Sequence, residues 1–305
     1  MPFGRLALFV SQTVQDGSKI QSAISPAGIL FRGTISKTFI MARTDSYLQL
    51  FNEFSPERTL ISGEVSTLII AHQKTNLSMS GEIHGIQENA HILYWLCHEL
   101  AIEQLGIECS PAIEPFIRSA LAGKPDFSLV NTDLFEASVL SIETLKTIAV
   151  LFREGIVKHI ACIDTFTTHG QNVDETDLSP QLREEELAGS ILSLDFNRST
   201  LCIMGQWHTE PKPVPRPVLK DGEVVIDEQR LHHSALYRVR EKLPGSIFIH
   251  NVYRGGHSYN AGRSITLDNR PELPEEYTIQ KIADSNFEIV VPEAHRIVLP
   301  EAQVK

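Results

Sequence analysis

The rhythm of apolar and polar positions changes near residue 75. Up to about residue 65 the periodicity is weak and Ser and Thr are frequent, with short strand-like pieces such as "GRLALFV" (4–10) and "KTFIMAR" (37–43). These predict a small β-rich N-terminal extension. From residue 75, short apolar runs alternate with longer runs of helical period. "NLSMS" reads as a strand. "ENAHILYWLCHELAIEQ" carries Leu93, Leu96 and Leu100, leading on to Leu105, with Cys97 and Ala101 filling the stripe; this is a helix face. "LGIEC" is a strand ending at Glu108. Ser110 followed by Pro111 is a helix start, serine as cap and proline in the first turn, for a helix running to Gly123.

The unit then repeats. "SIETLKTIAVLFREG" opens on Ser141 as cap and stops at Gly155; "IVKHIACID" is a strand ending in Asp164; "SPQLREEELAGSILSL" is a second Ser-Pro helix start; "STLCIMG" is the next strand. "GSIFIHNVY" and "NFEIVVP" are further strands, with "RGGHSYNAG" a loop between them. "EPKPVPRPVLKDGEV" has a proline at every second position, which excludes helix and central strand and predicts a loop or flap. Strand and helix in alternation imply an α/β fold with a mostly parallel central sheet flanked by helices. The expected organisation is a β-rich extension over 1–65 and an α/β domain over 66–305.

Composition narrows the function. Lys and Arg total 27 against 38 Asp and Glu, for a net charge of −11, and no long basic run occurs. That disfavours nucleic acid as a partner, because phosphate contacts require clustered cations. No apolar stretch approaches the roughly 20 residues needed to span a bilayer, and the N-terminus lacks a convincing cleavage site, so no membrane partner is expected. The four cysteines, at 97, 109, 162 and 202, lie in apolar segments and form no Cys-x-x-Cys pair. They read as reduced and buried, which makes the cytoplasm the expected compartment.

The polar residues that interrupt the apolar pattern fall at strand ends. In an open parallel sheet, ligands bind at the carboxyl ends of the strands. Glu82 and His84 follow one strand, Glu108 ends the next, Asp164 a third, and His208 follows a fourth; Gly81 and Gly205 let the chain turn away from the sheet. A single histidine after a strand is ordinarily structural. Five polar residues at one end of one sheet point to a shared site.

Two phrases, "GEIHGIQE" (81–88) and "GQWH" (205–208), each close an apolar strand with Gly-x-x-His, and the arginine-led "QLREEELAGSIL" lies between them. This arrangement resembles the superfamily that joins erythromycin esterases, TraB and Tiki proteins and ChaN-like haem-binding proteins, over roughly residues 75–295. The resemblance implies a hydrolytic or binding site with His84 as general base or metal ligand, Glu82 beside it, Glu108 facing it, Arg183 as electrostatic partner and His208 from the second phrase. The chemistry is coherent. A histidine near neutral pKa can deprotonate water, a carboxylate can orient the imidazole, and an arginine can steady an oxyanion. A metal-free site is the favoured expectation. The alternative is a divalent ion (Mn, Co or Zn) held by His84, Glu82 and His208.

Two classes of function follow: a hydrolase acting on an ester, lactone or peptide bond of a small-molecule or peptide substrate, or a non-catalytic binder of haem or another small ligand. For haem, Trp207, Tyr253 and Tyr259 are the aromatic candidates. Other polar groups read as structural. His91 and His98 occupy one exposed helix face. The adjacent histidines of "LHHSALYR" are expected to diverge on a helix, and "YRGGHSYNAG", with His257 and Tyr259, to form a flexible hairpin. No Gly-x-Ser-x-Gly nucleophile turn is present; Ser62 in "LISGE" does not match it.

Overall fold

The computed structural model describes residues 37–127, 140–165, 179–220, 223–260 and 263–297. An eight-stranded sheet forms its centre: β1 (Ser62–Gly63), β2 (Leu77–Glu82), β3 (Gln104–Ile107), β4 (His159–Cys162), β5 (Thr200–Gly205), β8 (Ile247–Tyr253), β11 (Thr278–Ala283) and β12 (Asn286–Val291). Their order across the sheet is β1-β11-β12-β8-β2-β5-β3-β4. Every neighbouring pair is parallel except β11 with β12. Two antiparallel ribbons stand apart from it, β6 (Val214–Lys220) with β7 (Glu223–His232) and β9 (His257–Asn260) with β10 (Arg263–Thr266). The helices are α1 (Lys37–Glu53), α2 (Val65–Gln73), α3 (Glu88–Glu99), α4 (Glu114–Leu121), α5 (Ile142–Arg153), α6 (Ser179–Leu192) and α7 (Ala235–Lys242).

The expected α/β fold with a mostly parallel sheet is therefore the fold observed. Its two central strands, β2 and β5, are buried along all six residues; β5 is largely apolar, as two covered faces require, while β2 alternates Leu77 and Met79 with the small buried Ser78 and Ser80. Successive residues of β5 divide between the faces. Leu201 and Ile203 join a core built with Leu96 of α3 and Leu145 and Ile148 of α5. Cys202 and Met204 join a second core with Leu187 and Ile191 of α6 and Leu236 of α7. Serine caps set two helix starts, Ser141 accepting from the Thr144 amide at 3.0 Å and Ser234 from the Tyr237 amide at 3.0 Å.

Several local expectations are corrected. "KTFIMAR" is not a strand: residues 37–43 open α1. The reason lies further along, where Tyr47 and Phe51, one helical turn apart, are buried against Phe127; the Tyr47 and Phe127 ring centroids are 5.6 Å apart. "GRLALFV" lies outside the described residues. The helix read over 88–104 ends at Glu99, because Ala101 takes a left-handed φ of 50°. The proline-rich segment is not a loop: Val214–Lys220 pairs with Glu223–His232 as an antiparallel ribbon outside the main sheet, where proline is tolerated. "RGGHSYNAG" likewise contributes β9. His232 and His233 do not lie on a helix; His232 ends β7 and Ser234 caps α7. Among the described residues, no helix is long and apolar enough to cross a membrane.

Candidate active site

The order β2-β5-β3-β4 sets four strand tips side by side. Glu82 is in register with Gly205, Ile107 with Ile203, and Ile107 with Cys162. The residues leaving those tips are consequently neighbours: Glu82 and His84 after β2, Glu108 after β3, Asp164 after β4, and His208 in the 3-10 turn Gln206–Thr209 after β5. The structure brings all five together with Arg183, near the start of α6.

Glu108 is the hub. Its Oε1 accepts from Arg183 Nη2 at 2.8 Å and lies 3.1 Å from Nε2 of His208, while its Oε2 accepts the Gly205 amide at 2.6 Å. The same Arg183 nitrogen donates to Asp164 Oδ2 at 2.7 Å. His208 donates from Nδ1 to Glu184 Oε1 at 2.6 Å, and the other oxygen of Glu184 accepts the Ala235 amide at 2.7 Å, at the N-terminus of α7. The network thus runs Asp164–Arg183–Glu108–His208–Glu184 and ends on backbone amides. Glu108, His208 and Glu184 are all buried. Such a row is sustainable because each charge faces an opposite one and the remaining lone pairs are occupied.

The two carboxylates nearest His84 are tuned in opposite directions. Burial pushes Glu82 above the usual carboxylate range, with His84 opposing it. Burial also acts upward on Glu108, but the charges of His208, His84 and Arg183 outweigh it and hold that carboxyl well below its ordinary value. His208 responds in kind: burial alone would lower its pKa, yet Glu108 and Glu184 raise it to about 10. It is an imidazolium at neutral pH. A pair of carboxylates driven apart in this way is the usual mark of divided acid–base roles.

His84 is held differently. Its side chain keeps 18% of its surface exposed, against 7% for Glu82, 6% for Glu108 and 7% for His208. Nδ1 faces Glu82 Oε1 at 3.7 Å, is buried, and makes no hydrogen bond among the described residues. Nε2 lies over Gly205: a Cβ added there would stand 2.9 Å from it and 3.5 Å from Glu108 Oε2. Glycine at 205 is what lets the imidazole approach the β5 tip. Behind Glu82, Asn89 donates to the Ile83 carbonyl at 2.8 Å and accepts from the buried Tyr253 hydroxyl at 2.6 Å, fixing the turn that carries His84.

The donor set does not suit a divalent ion bound through His84, Glu82 and His208. Both ring nitrogens of His208 are already engaged, Nε2 3.1 Å from Glu108 and Nδ1 2.6 Å from Glu184, so neither can serve as a ligand without giving up that contact. Nor do the aromatic residues offered for haem make a wall for it. Tyr253 is packed with its hydroxyl on Asn89, and Trp207 stacks on the buried His232 at 4.3 Å. His257 and Tyr259 lie in the β9–β10 ribbon. His91 and His98 are satisfied on their helix: His91 accepts the Glu57 amide at 3.0 Å and His98 lies 3.2 Å from Glu154.

Sequence reading missed Glu184 and His232. Glu184 stands in the run Glu184–Glu186, which reads as a solvated helix face, and only its burial separates it from Glu185 and Glu186. His232 is fully buried, with Nε2 3.1 Å from the Trp207 carbonyl and 3.8 Å from Glu184. A cue existed for Glu184: it follows Arg183 and precedes the buried Leu187 and Ala188 by one helical turn.

No protein-family model matches the chain, and no curated protein matches it. Several solved structures align with parts of the chain. An effector domain of a MARTX toxin from Vibrio vulnificus aligns with 63% of this chain and 41% of its own, at 14% identity and a TM-score of 0.34. The C-terminal region of Pasteurella multocida toxin, described as holding a thiol-protease-like catalytic triad, aligns with 81% of this chain and 33% of its own, at 7% identity and 0.42. A Bacillus cereus protein aligns over 85% of this chain and 99% of its own, at 10% identity and 0.44. The chain therefore spans about two fifths of the Vibrio toxin chain and a third of the Pasteurella one, and at these scores the likenesses carry no argument about chemistry.

Proposed function

We propose that the chain is a hydrolase that cleaves an ester, lactone or peptide bond with a water activated by His84. One observation carries the reading. Within a buried network whose other charged groups are paired, His84 alone combines solvent access with a buried Nδ1 left unbonded beside a carboxylate. A small approach of Glu82 makes Nδ1–H its donor and fixes the tautomer. Nε2 then takes a proton from water at the β5 tip. Glu82 stabilises the imidazolium that results, and His84 returns the proton to the leaving oxygen or nitrogen. Arg183, whose guanidinium is one-third exposed, offers positive charge to the developing oxyanion, while Glu108 and Asp164 hold it in place. The step needs no metal. The paired Gly-x-x-His phrases support placing the chain with the erythromycin esterase, Tiki and ChaN-like proteins.

The test is turnover of carboxylic esters, lactones and peptides by the wild type and by His84→Gln, with and without chelator. The expected result is chelator-insensitive cleavage that falls by about 10²–10⁴ in the variant, the usual worth of a general base. Equal rates for the two proteins, or no turnover of any of the three substrate classes, would sink it. Activity lost to chelator and restored by Mn, Co or Zn would move His84 from base to ligand.

A further inference from the structure

We infer that Cys109 and Cys162 are a disulfide-forming pair, an oxidative modification site at the tips of β3 and β4. The inference is independent of any hydrolytic activity. The two strands are parallel neighbours with Ile107 opposite Cys162, and Cys109 lies two positions beyond Ile107. Two positions along a strand return a side chain to the same face. A tight turn, in which the Cys109 amide donates to the Ile107 carbonyl at 2.7 Å, shortens the step between them. The Asp164 amide donates to the Cys109 carbonyl at 3.2 Å, so the tips stay joined beyond the last ladder pair. The ladder register and these two backbone bonds set the two thiols near one another at the strand tips, close enough for each to shift the other's pKa. Disulfides span Cα separations of about 4.4–6.8 Å, the scale of the roughly 4.8 Å between neighbouring strands.

The other two thiols lack these properties. Cys97 and Cys202 are fully buried, and burial pushes both thiols up, Cys202 to about 12. Cys162 is partly exposed, and the neighbouring Cys109 thiol lowers its pKa. Reaction with hydrogen peroxide then has a defined order. The Cys162 thiolate attacks one peroxide oxygen, the O–O bond breaks, and hydroxide leaves to take up a proton as water. The Cys109 sulfur, giving up its proton, attacks the Cys162 sulfenic acid; the S–O bond breaks and a second water departs. Two thiols lose two electrons and one peroxide becomes two waters.

Glu108 immediately precedes Cys109, and Asp164 stands two residues beyond Cys162. The disulfide therefore fixes the spacing of the two strand tips that hold Arg183. The experiment is peroxide treatment of the reduced full chain, alkylation of the remaining thiols and non-reducing peptide mapping. The expected product is an intramolecular Cys109–Cys162 peptide, with two of the four free thiols consumed and Cys97 and Cys202 alkylated after unfolding. Cys162→Ser is expected to abolish the link and leave Cys109 as a thiol. Retention of all four thiols, Cys162 sulfinic acid beside a free Cys109, or a link between two chains would each overturn the inference. If Cys162→Ser fails to fold, phenylarsine oxide on the wild type decides: one equivalent shielding both cysteines from alkylation supports the pair, and no shielding refutes it.

Discussion

The carboxylate of Glu184 lies 2.6 Å from Nδ1 of His208, both residues buried beneath the strand tips that carry Glu82 and Glu108. This contact is the inner anchor of the site. Glu184 also caps the first amide of α7, so one side chain ties α6, the β5 turn and α7 together.

Removing that anchor leaves a buried imidazolium and an amide without their acceptor. Glu184→Ala is expected to destabilise the fold by about 3–5 kcal/mol, the usual cost of breaking a buried ion pair from one side. Glu185→Ala, on the exposed side of the same helix, should stay within about 0.5 kcal/mol. Urea unfolding of the two variants is the comparison; similar midpoints would refute the anchoring role.

The same network predicts a pH window for stability. The His208 pKa is raised from 6.5 to about 10 on folding. Its contribution is complete below pH 6.5 and is lost as pH climbs through 10. Glu108 is depressed below 4.5 on folding, so its contribution is complete above that value and is lost as pH falls through the lower one. These are two views of one interaction and count once. The stability advantage of the wild type over His208→Gln, read from unfolding midpoints, should therefore be largest below about pH 6.5 and shrink toward pH 10.

Glu82 should trade stability for chemistry. Its pKa is raised by burial, so ionising it in the folded state opposes folding at neutral pH. Glu82→Gln is therefore expected to raise the unfolding midpoint while hydrolysis falls. A less stable Glu82→Gln protein would show that the carboxylate is structural.

Gly205→Ala separates position from identity. The new Cβ would come within 2.9 Å of His84 Nε2 and 3.1 Å of Cε1, so the imidazole must move. Gly205 has an ordinary extended φ of −61°, so the backbone itself is not strained. Activity should drop at least tenfold with a stability change under about 1.5 kcal/mol. Equal activity would place the working face of His84 elsewhere.

Most of the site could be read from the chain because parallel strands make it legible. β2, β3 and β5 are buried on both faces and carry only small or apolar residues beyond Gln104 and the closing Glu82, and Glu82, Glu108 and His208 mark where each strand ends. Arg183 was recognisable from its place at a helix start. Glu184 was not, because a run of three glutamates looks alike whether it meets water or a histidine. "KTFIMAR" was misread because its short apolar run, Phe39–Ala42, suits strand and helix alike; the helix is decided by Tyr47 and Phe51 meeting Phe127, far along the chain. The ribbon 214–232 was obscured by prolines that exclude a central strand but not a peripheral one.

The position of β2 has a consequence for biosynthesis. It is held between β5 and β8, so Gly81 pairs with Met204 on one side and His250 on the other. A growing chain on the ribosome therefore carries β2 with both edges open until Gly205 has emerged, and with one edge open until Tyr253 follows. Every nascent length short of that exposes a surface suited to strand addition by other chains. Demand for chaperones should peak while this segment waits, and release as β8 docks.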